Sequence, residues 1–135
     1  MANTVTTKRI SSSLKTMLVE NDATTLSGST YVAIIDVVDV ESYDRASIQM
    51  LANDSEALTC QVWGSLFDSA VALPVTNSKW VQIGDDVVVA INSGSLKSIA
   101  TTALRLLAVT VKATDGTATS SITAGDCKVF LQGTI

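Results

Sequence analysis

Ser12-Ser13-Leu14-Lys15 sets a hydroxyl and an amine at the Ser-x-x-Lys spacing with which some acyltransferases activate a serine nucleophile. That chemistry needs a helical turn to swing the lysine against the serine. Here the motif lies in a Thr-rich, strand-forming stretch without the companion motifs of that class, so acyl transfer is not expected. The chain contains no histidine, which removes Ser-His-Asp and Cys-His arrangements and imidazole zinc sites together. Ten aspartates and three glutamates leave a carboxylate pair formally available, but Asp85 and Asp86 follow Gly84 in what reads as a turn. Asn53-Asp54-Ser55-Glu56 and Gly84-Asp85-Asp86 could offer oxygen ligands to calcium, yet neither has the spaced acids of an EF-hand loop. The seven glycines are dispersed and build no phosphate cradle. Neither catalysis, nor a cofactor, nor a metal centre is expected. Among six aromatic residues, Trp63 and Trp80 are the candidates for a ligand-facing stacking platform.

The elements that must position these residues are strands. Val, Ile and Thr abound, proline occurs once, and β-branched side chains suit a pleated, half-buried surface. Alternation predicts strands near Thr4–Ile10, Ser13–Glu20, Thr30–Val40, Arg45–Ala52, Leu58–Ser65, Trp80–Ile83, Val87–Ile91, Leu104–Ala113 and Lys128–Gly133. Between them "NDATTLSGS", "ANDSEA", "FDSAVALPVTNSK", "NSGSLKS" and "TDGTATSSITAGD" read as turns, with "SIATTA" as one helical turn. The expectation is an all-β chain: a single antiparallel β-sandwich or jelly roll of about eight to nine strands occupying residues 1–135.

Two faces follow from the alternation. Ala46, Ile48 and Met50 share one side of their strand, and Leu58, Cys60 and Val62 share one side of theirs, with Thr59, Gln61 and Trp63 opposite. In "LRLLAVTVKAT", Leu107, Val109 and Val111 read as core. Leu106, Ala108, Thr110 and Lys112 are expected to face solvent or a neighbouring subunit, and Arg105 to sit at the strand's mouth with its stem on apolar surface. Cys60 and Cys127 both fall in strands and are expected to be buried thiols rather than a bridge.

Charge narrows the partners. Thirteen acids against nine bases give a net charge of −4, which argues against phosphate-backbone binding and hence against nucleic acid. The first nineteen residues nevertheless carry Lys8, Arg9 and Lys15 with no acid, leaving −7 on the other 116. No apolar run approaches the roughly 20 residues of a membrane helix, and no secretory h-region shows, so no membrane is expected. Charged residues make up 16% of the chain against 47% hydrophobic ones, below the roughly 25% usual for soluble domains. Such a surface suits partial cover by partner protein. Residues 1–12 are read as an interface arm or edge strand, with Asn3, Thr4, Val5, Lys8, Arg9 and Ile10 as its contact residues. Val5 and Ile10 alone bring too little apolar area to order that segment by burial in its own domain.

The succession "YDRASIQMLANDSEALTCQVWGSLFD", "KWVQIGDD", "TALRLLAVTVKAT" and "CKVFLQGTI" resembles the β-sandwich capsid decoration, or cement, proteins of tailed bacteriophages over about Tyr43 to Ile135. Gly64-Ser65, Trp80 and Arg105 occupy the places of that family's small-residue turn, hairpin tryptophan and arginine-led strand. The resemblance implies a noncatalytic virion protein, assembled in the host cytoplasm. It would bind the outside of the major capsid protein shell and stabilise it as a trimer or other homo-oligomer. Its partners would be the major capsid protein and copies of itself. The alternative is a carbohydrate-binding or tail/connector β-sandwich module of a phage particle, using Trp63 and Trp80.

Overall fold

A computed structural model describes the chain at residues 4–12, 16–27, 30–52, 57–66, 79–101, 104–114, 119–121 and 127–134, and side chains at 19, 30–52, 57–66, 79–101, 104–114 and 133. Among the described residues there are eleven strands and no helix. These are β1 (Thr4–Ser12), β2 (Thr16–Ser27), β3 (Val32–Asp39), β4 (Arg45–Ala52), β5 (Leu58–Ser65), β6 (Val81–Gln82), β7 (Val87–Val89), β8 (Ser93–Ala100), β9 (Leu106–Ala113), β10 (Thr119–Ser121) and β11 (Cys127–Thr134). They form two antiparallel sheets. Sheet A runs β1-β2-β11-β4-β8 with β10 also on β2, and sheet B runs β3-β9-β5-β6 with β7 also on β5.

The pairing is nested. β2 pairs with β11, β3 with β9, β4 with β8, and β5 with β6 and β7, like one long antiparallel ribbon. Coiling that ribbon brings β11 onto β4 and β9 onto β5, which closes the two sheets. From β2 onward, successive long strands alternate between the sheets, the double Greek key of a jelly roll. The fold is therefore the all-β antiparallel sandwich expected. Eight of the strands hold eight residues or more and three hold two or three.

Two strands were not legible in the alternation. Gly94 and three serines leave β8 with little apolar signal, so its start read as a turn and Ser98–Ala100 as a helical turn. Unbroken eight-pair register with β4 imposes the strand instead. β10 lies inside the segment read as a loop and is held by β2. β2 itself continues to Ser27, through Asn21–Ser27 that read as a turn, because β1 and β11 pair along its flanks.

The core lies between the sheets. Val19, Ala46, Ile48, Met50, Ala52 and Ile99 from sheet A meet Ile35, Leu58, Cys60, Val62, Val89, Leu107, Val109 and Val111 from sheet B. The inward sets assigned on β4, β5 and β9 all lie in it. Burial of this kind contributes about 25 cal/mol per Å² of apolar area removed from water. The other face of β9 corrects the sequence reading: Leu106, Ala108 and Thr110 are buried, not turned to solvent or a subunit. Leu106 and Ala108 are covered by this chain's own Trp80, with Val37 and Trp63 packed against the cluster. Arg105 stands exposed at the strand's mouth as expected, its guanidinium 3.3 Å from the exposed Glu41 carboxylate, a pairing worth about 0–1 kcal/mol.

Gly64 occupies an inward position opposite Leu107. A Cβ there would stand 2.8 Å from Ile83 Cδ1 and 2.9 Å from Leu104 Cδ2, so the missing side chain is what lets those two residues seal that end of the sandwich.

Two outcomes follow. Ile48→Ala, in a fully buried site, lowers unfolding free energy by about 2–5 kcal/mol, whereas Leu66→Ala, at an exposed position, changes it by about 0.5 kcal/mol or less; chemical denaturation of the two variants checks this. In a Cys127→Ser background, Cys60 reacts with a thiol reagent only after denaturant is added, and rapid labelling of the native protein would show the site to be open.

Candidate functional site

The outward face of sheet B gathers the densest set of polar and aromatic side chains among the described residues. Alternation on β5 puts Gln61 and Trp63 on this face, and register sets Gln61 opposite Thr110 of β9 and Trp63 opposite both Ala108 of β9 and Gln82 of β6. Gly84, at φ 73°, turns the chain between β6 and β7 in a conformation that favours glycine. The turn returns Asp86 over the same face.

These groups form one hydrogen-bonded chain. The Trp63 indole N–H donates to Thr110 Oγ1 at 3.0 Å, and the Thr110 hydroxyl donates to Gln61 Oε1 at 3.3 Å. The Gln61 amide donates to Asp86 Oδ1 at 3.1 Å and the Gln82 amide to the same oxygen at 2.7 Å. The Tyr31 hydroxyl donates to Asp86 Oδ2 at 3.3 Å, and the Lys112 ammonium lies 5.3 Å from the centre of the Tyr31 ring, within cation–π range.

The electrostatics follow from these contacts. Hydrogen bonds from Gln82 and then Gln61 hold the Asp86 carboxyl below its ordinary value, against a smaller opposing effect of burial. Asp86 is exposed, so solvent screens most of the stabilisation. What remains is present at neutral pH and is lost as pH falls through the lowered value. Burial first, and the neighbouring Asp86 charge second, push the Tyr31 hydroxyl up to about 12. That stabilisation is full below pH 10 and is lost as pH rises toward 12. Chemically the arrangement fixes a carboxylate, two amides and an indole on one sheet face, which suits binding and orientation. Among the described residues no three of His, Cys, Asp and Glu come together to hold a metal.

The residues singled out from sequence are distributed otherwise. Trp80 is 4% exposed and packs with Leu106 and Ala108, while Trp63 is half-buried. Thr4, Val5, Lys8, Arg9 and Ile10 all lie on β1, at the outer edge of sheet A; Asn3 lies outside the described residues. Register puts Val5 opposite Ala23, Arg9 opposite Glu20 and Ile10 opposite Val19, with Lys8 at a shift in the pairing. Cys127 sits opposite Ala52, and its side chain lies outside the described residues. Tyr31, Gln82 and Lys112 went unnoticed as site residues, and Asp86 read only as a turn. The one available signal was Gln61 sharing a face with Trp63. Nothing local links Tyr31 to Asp86, 55 residues away.

No protein-family model and no curated protein sequence matches the chain. Among solved structures it is similar to a chain described under the words "Bacillus endospore appendages form a novel family of disulfide-linked pili", at 12% identity and a TM-score of 0.44, covering 100% of this chain and 92% of that one. The printed words describe that neighbour as belonging to a bacterial endospore appendage. A likeness this loose bears no functional argument.

The Asp86 network predicts a titration. The difference in absorbance near 295 nm between the native protein and Tyr31→Phe has its midpoint near pH 12. Asp86→Asn moves that midpoint down only part of the way toward 10, because burial is the larger cause. A midpoint of 10 in the native protein would mean that Tyr31 is neither buried nor bonded as described.

Proposed function

We propose that this protein is a structural subunit of an assembly, and that the assembly is a virion: a decoration protein binding the outside of the major capsid protein shell and stabilising it. The observation that supports this reading best is the state of sheet A's edges. β8 ends the sheet as an eight-residue strand in unbroken register with β4, with Ser93, Gly94, Leu96, Ser98 and Ala100 exposed and Lys97 as its one charged residue. Solitary soluble proteins blunt such an edge with charge, proline or bulges. A subunit that adds strands across protein interfaces keeps it. At the opposite edge lies the basic β1, on a chain whose remainder is acidic. A shell offers many identical sites, so modest contacts per copy become firm attachment when a cluster of copies engages several at once. Placement on the capsid surface, after assembly in the host cytoplasm, follows from this reading.

A second reading, saccharide recognition, is favoured by one arrangement: the half-buried Trp63 flanked by the planar polar groups of Gln61, Gln82 and Asp86 on an open sheet face. Quenching of tryptophan fluorescence by an oligosaccharide panel, abolished in Asp86→Ala, would establish it. A decoration protein gives no such response.

Co-sedimentation with capsid particles from the protein's source tests the main reading. The full chain pellets with the particles, and a chain lacking residues 2–10, which gives up most of the β1–β2 ladder but none of the described core between the sheets, stays folded and pellets less. Equal binding by the truncated chain at moderate salt would remove β1 from the contact. No binding by the full chain would remove the capsid.

A further inference from the structure

The four sheet edges are not alike. β1 carries two shifts in its pairing with β2. β3 carries two in its pairing with β9 and bears the exposed acids Asp36 and Asp39. The fourth edge is broken into β6 and β7, of two and three residues. Bulges, charges and brevity each discourage strand addition. β8 is neither shifted in its pairing nor short, and its one charge, Lys97, is drawn back onto the Ile83 carbonyl, so the partner that fits it must bring an equally regular strand. Among the described residues of this chain, that strand is β8 of a second copy.

We infer that β8 is a homodimer interface, in which two copies pair antiparallel about a two-fold axis normal to sheet A and join their sheets into one. The sequence selects a register. Such an axis keeps the outer faces of both sheets on the same side. Leu96, 71% exposed on that face, then stands directly opposite Leu96 of the other copy, with Gly94 opposite Ser98 and Ser95 opposite Lys97. The apolar side chains cover one another, and the small residues around them admit the second backbone. Shifting the partner by two residues in one direction would set Lys97 against Lys97, and like charges directly opposite are destabilising. Shifting it two the other way would separate the leucines. In the favoured register the two lysines do not meet. Each is already committed within its own chain, Lys97 Nζ donating to the Ile83 carbonyl at 2.6 Å. A Cβ on Gly84 would stand 2.5 Å from that ammonium, so the glycine that shapes the β6–β7 turn also gives Lys97 room to fold back from the pairing edge.

Two strands and one leucine pair make a small contact, of the weak class below about 1,200 Å², which suits a subunit whose firm attachment comes from many copies. The inference gives the assembly reading a first step, but it is measured on the isolated protein, so particle binding and dimerisation can fail separately. Sedimentation velocity on the full chain, up to about 100 µM as suits an interface of this class, shows a concentration-dependent dimer. Leu96→Lys, at an exposed position, melts like the native protein and stays monomeric. Under mild oxidation Leu96→Cys forms a disulfide-linked dimer across the axis, while Leu66→Cys and Lys97→Cys do not. A native protein that is monomeric throughout, a dimer that Leu96→Lys leaves intact, or equal cross-linking of all three cysteine variants would each overturn the proposal.

Discussion

Strand β9 is buried on both faces, and the rest of the molecule is arranged around that constraint. A strand in an antiparallel sandwich usually keeps one wet side. Here Leu107, Val109 and Val111 face sheet A while Leu106, Ala108 and Thr110 lie under Trp63, Trp80 and Val37. Two layers must therefore meet one strand. β3 and β5 flank it on either side, so its backbone is paired along both edges as well. With apolar residues on both faces, hydrophobic pattern alone fixes its register weakly, because a one-residue slip would exchange one buried set for another. Polar groups supply the specificity. Thr110 fits only where Trp63 and Gln61 can bond its hydroxyl, and Gly64 fits only where Ile83 and Leu104 need the space.

That double burial separates what the sequence revealed from what it hid. Alternation is a local property, and it was legible wherever one face is core and the other wet. β4 and β5 were bounded as they stand in the structure, and their inward sets are the buried ones. It failed where partners define the strand. β8 is a strand because β4 is beside it, and its own serines and glycine carry no period. The outer face of β9 failed for the opposite reason: Ala and Thr read as mildly polar, but their cover comes from Trp80, distant in sequence and reached only through the coiled ribbon. The Asp86 network was hidden in the same way. Its members come from the approach to β3, from β5, β6 and β9, and from the β6–β7 turn, and only the topology brings them together.

The composition takes on a structural meaning in this light. A jelly roll with one wet face per sheet needs few apolar residues beyond its inner rows, yet hydrophobic residues make up 47% of this chain. The second cluster on sheet B accounts for part of the excess. Exposed Leu66, Val81, Val88, Ile91 and Leu96 account for more. Three of them cluster by sequence around the β7–β8 connection, where Asn92 adopts a positive φ of 57°, tolerated by asparagine, and carries the chain from sheet B into sheet A. The residues that lead into the bare edge are thus themselves apolar and exposed.

The two sheets consequently have different work. The polar groups on sheet B's outer face bond one another: the Asp86 carboxylate accepts three hydrogen bonds, and Trp80 covers a second small core beside them. Groups so mutually satisfied rigidify the layer beneath them. Among the described residues, sheet A ends in backbone groups on β8 that pair with no further strand. A rigid layer behind an open edge is the arrangement that makes strand addition inexpensive in entropy, since the receiving strand is already ordered when the partner arrives. The bonding of Asp86 and the unbroken register of β8 lie on opposite sheets of the sandwich, but Ile83 joins them: it packs against the core next to Gly64, and its carbonyl holds Lys97 of β8. The segment that carries Asp86 over sheet B is the same one that draws the only charge of the open edge away from it.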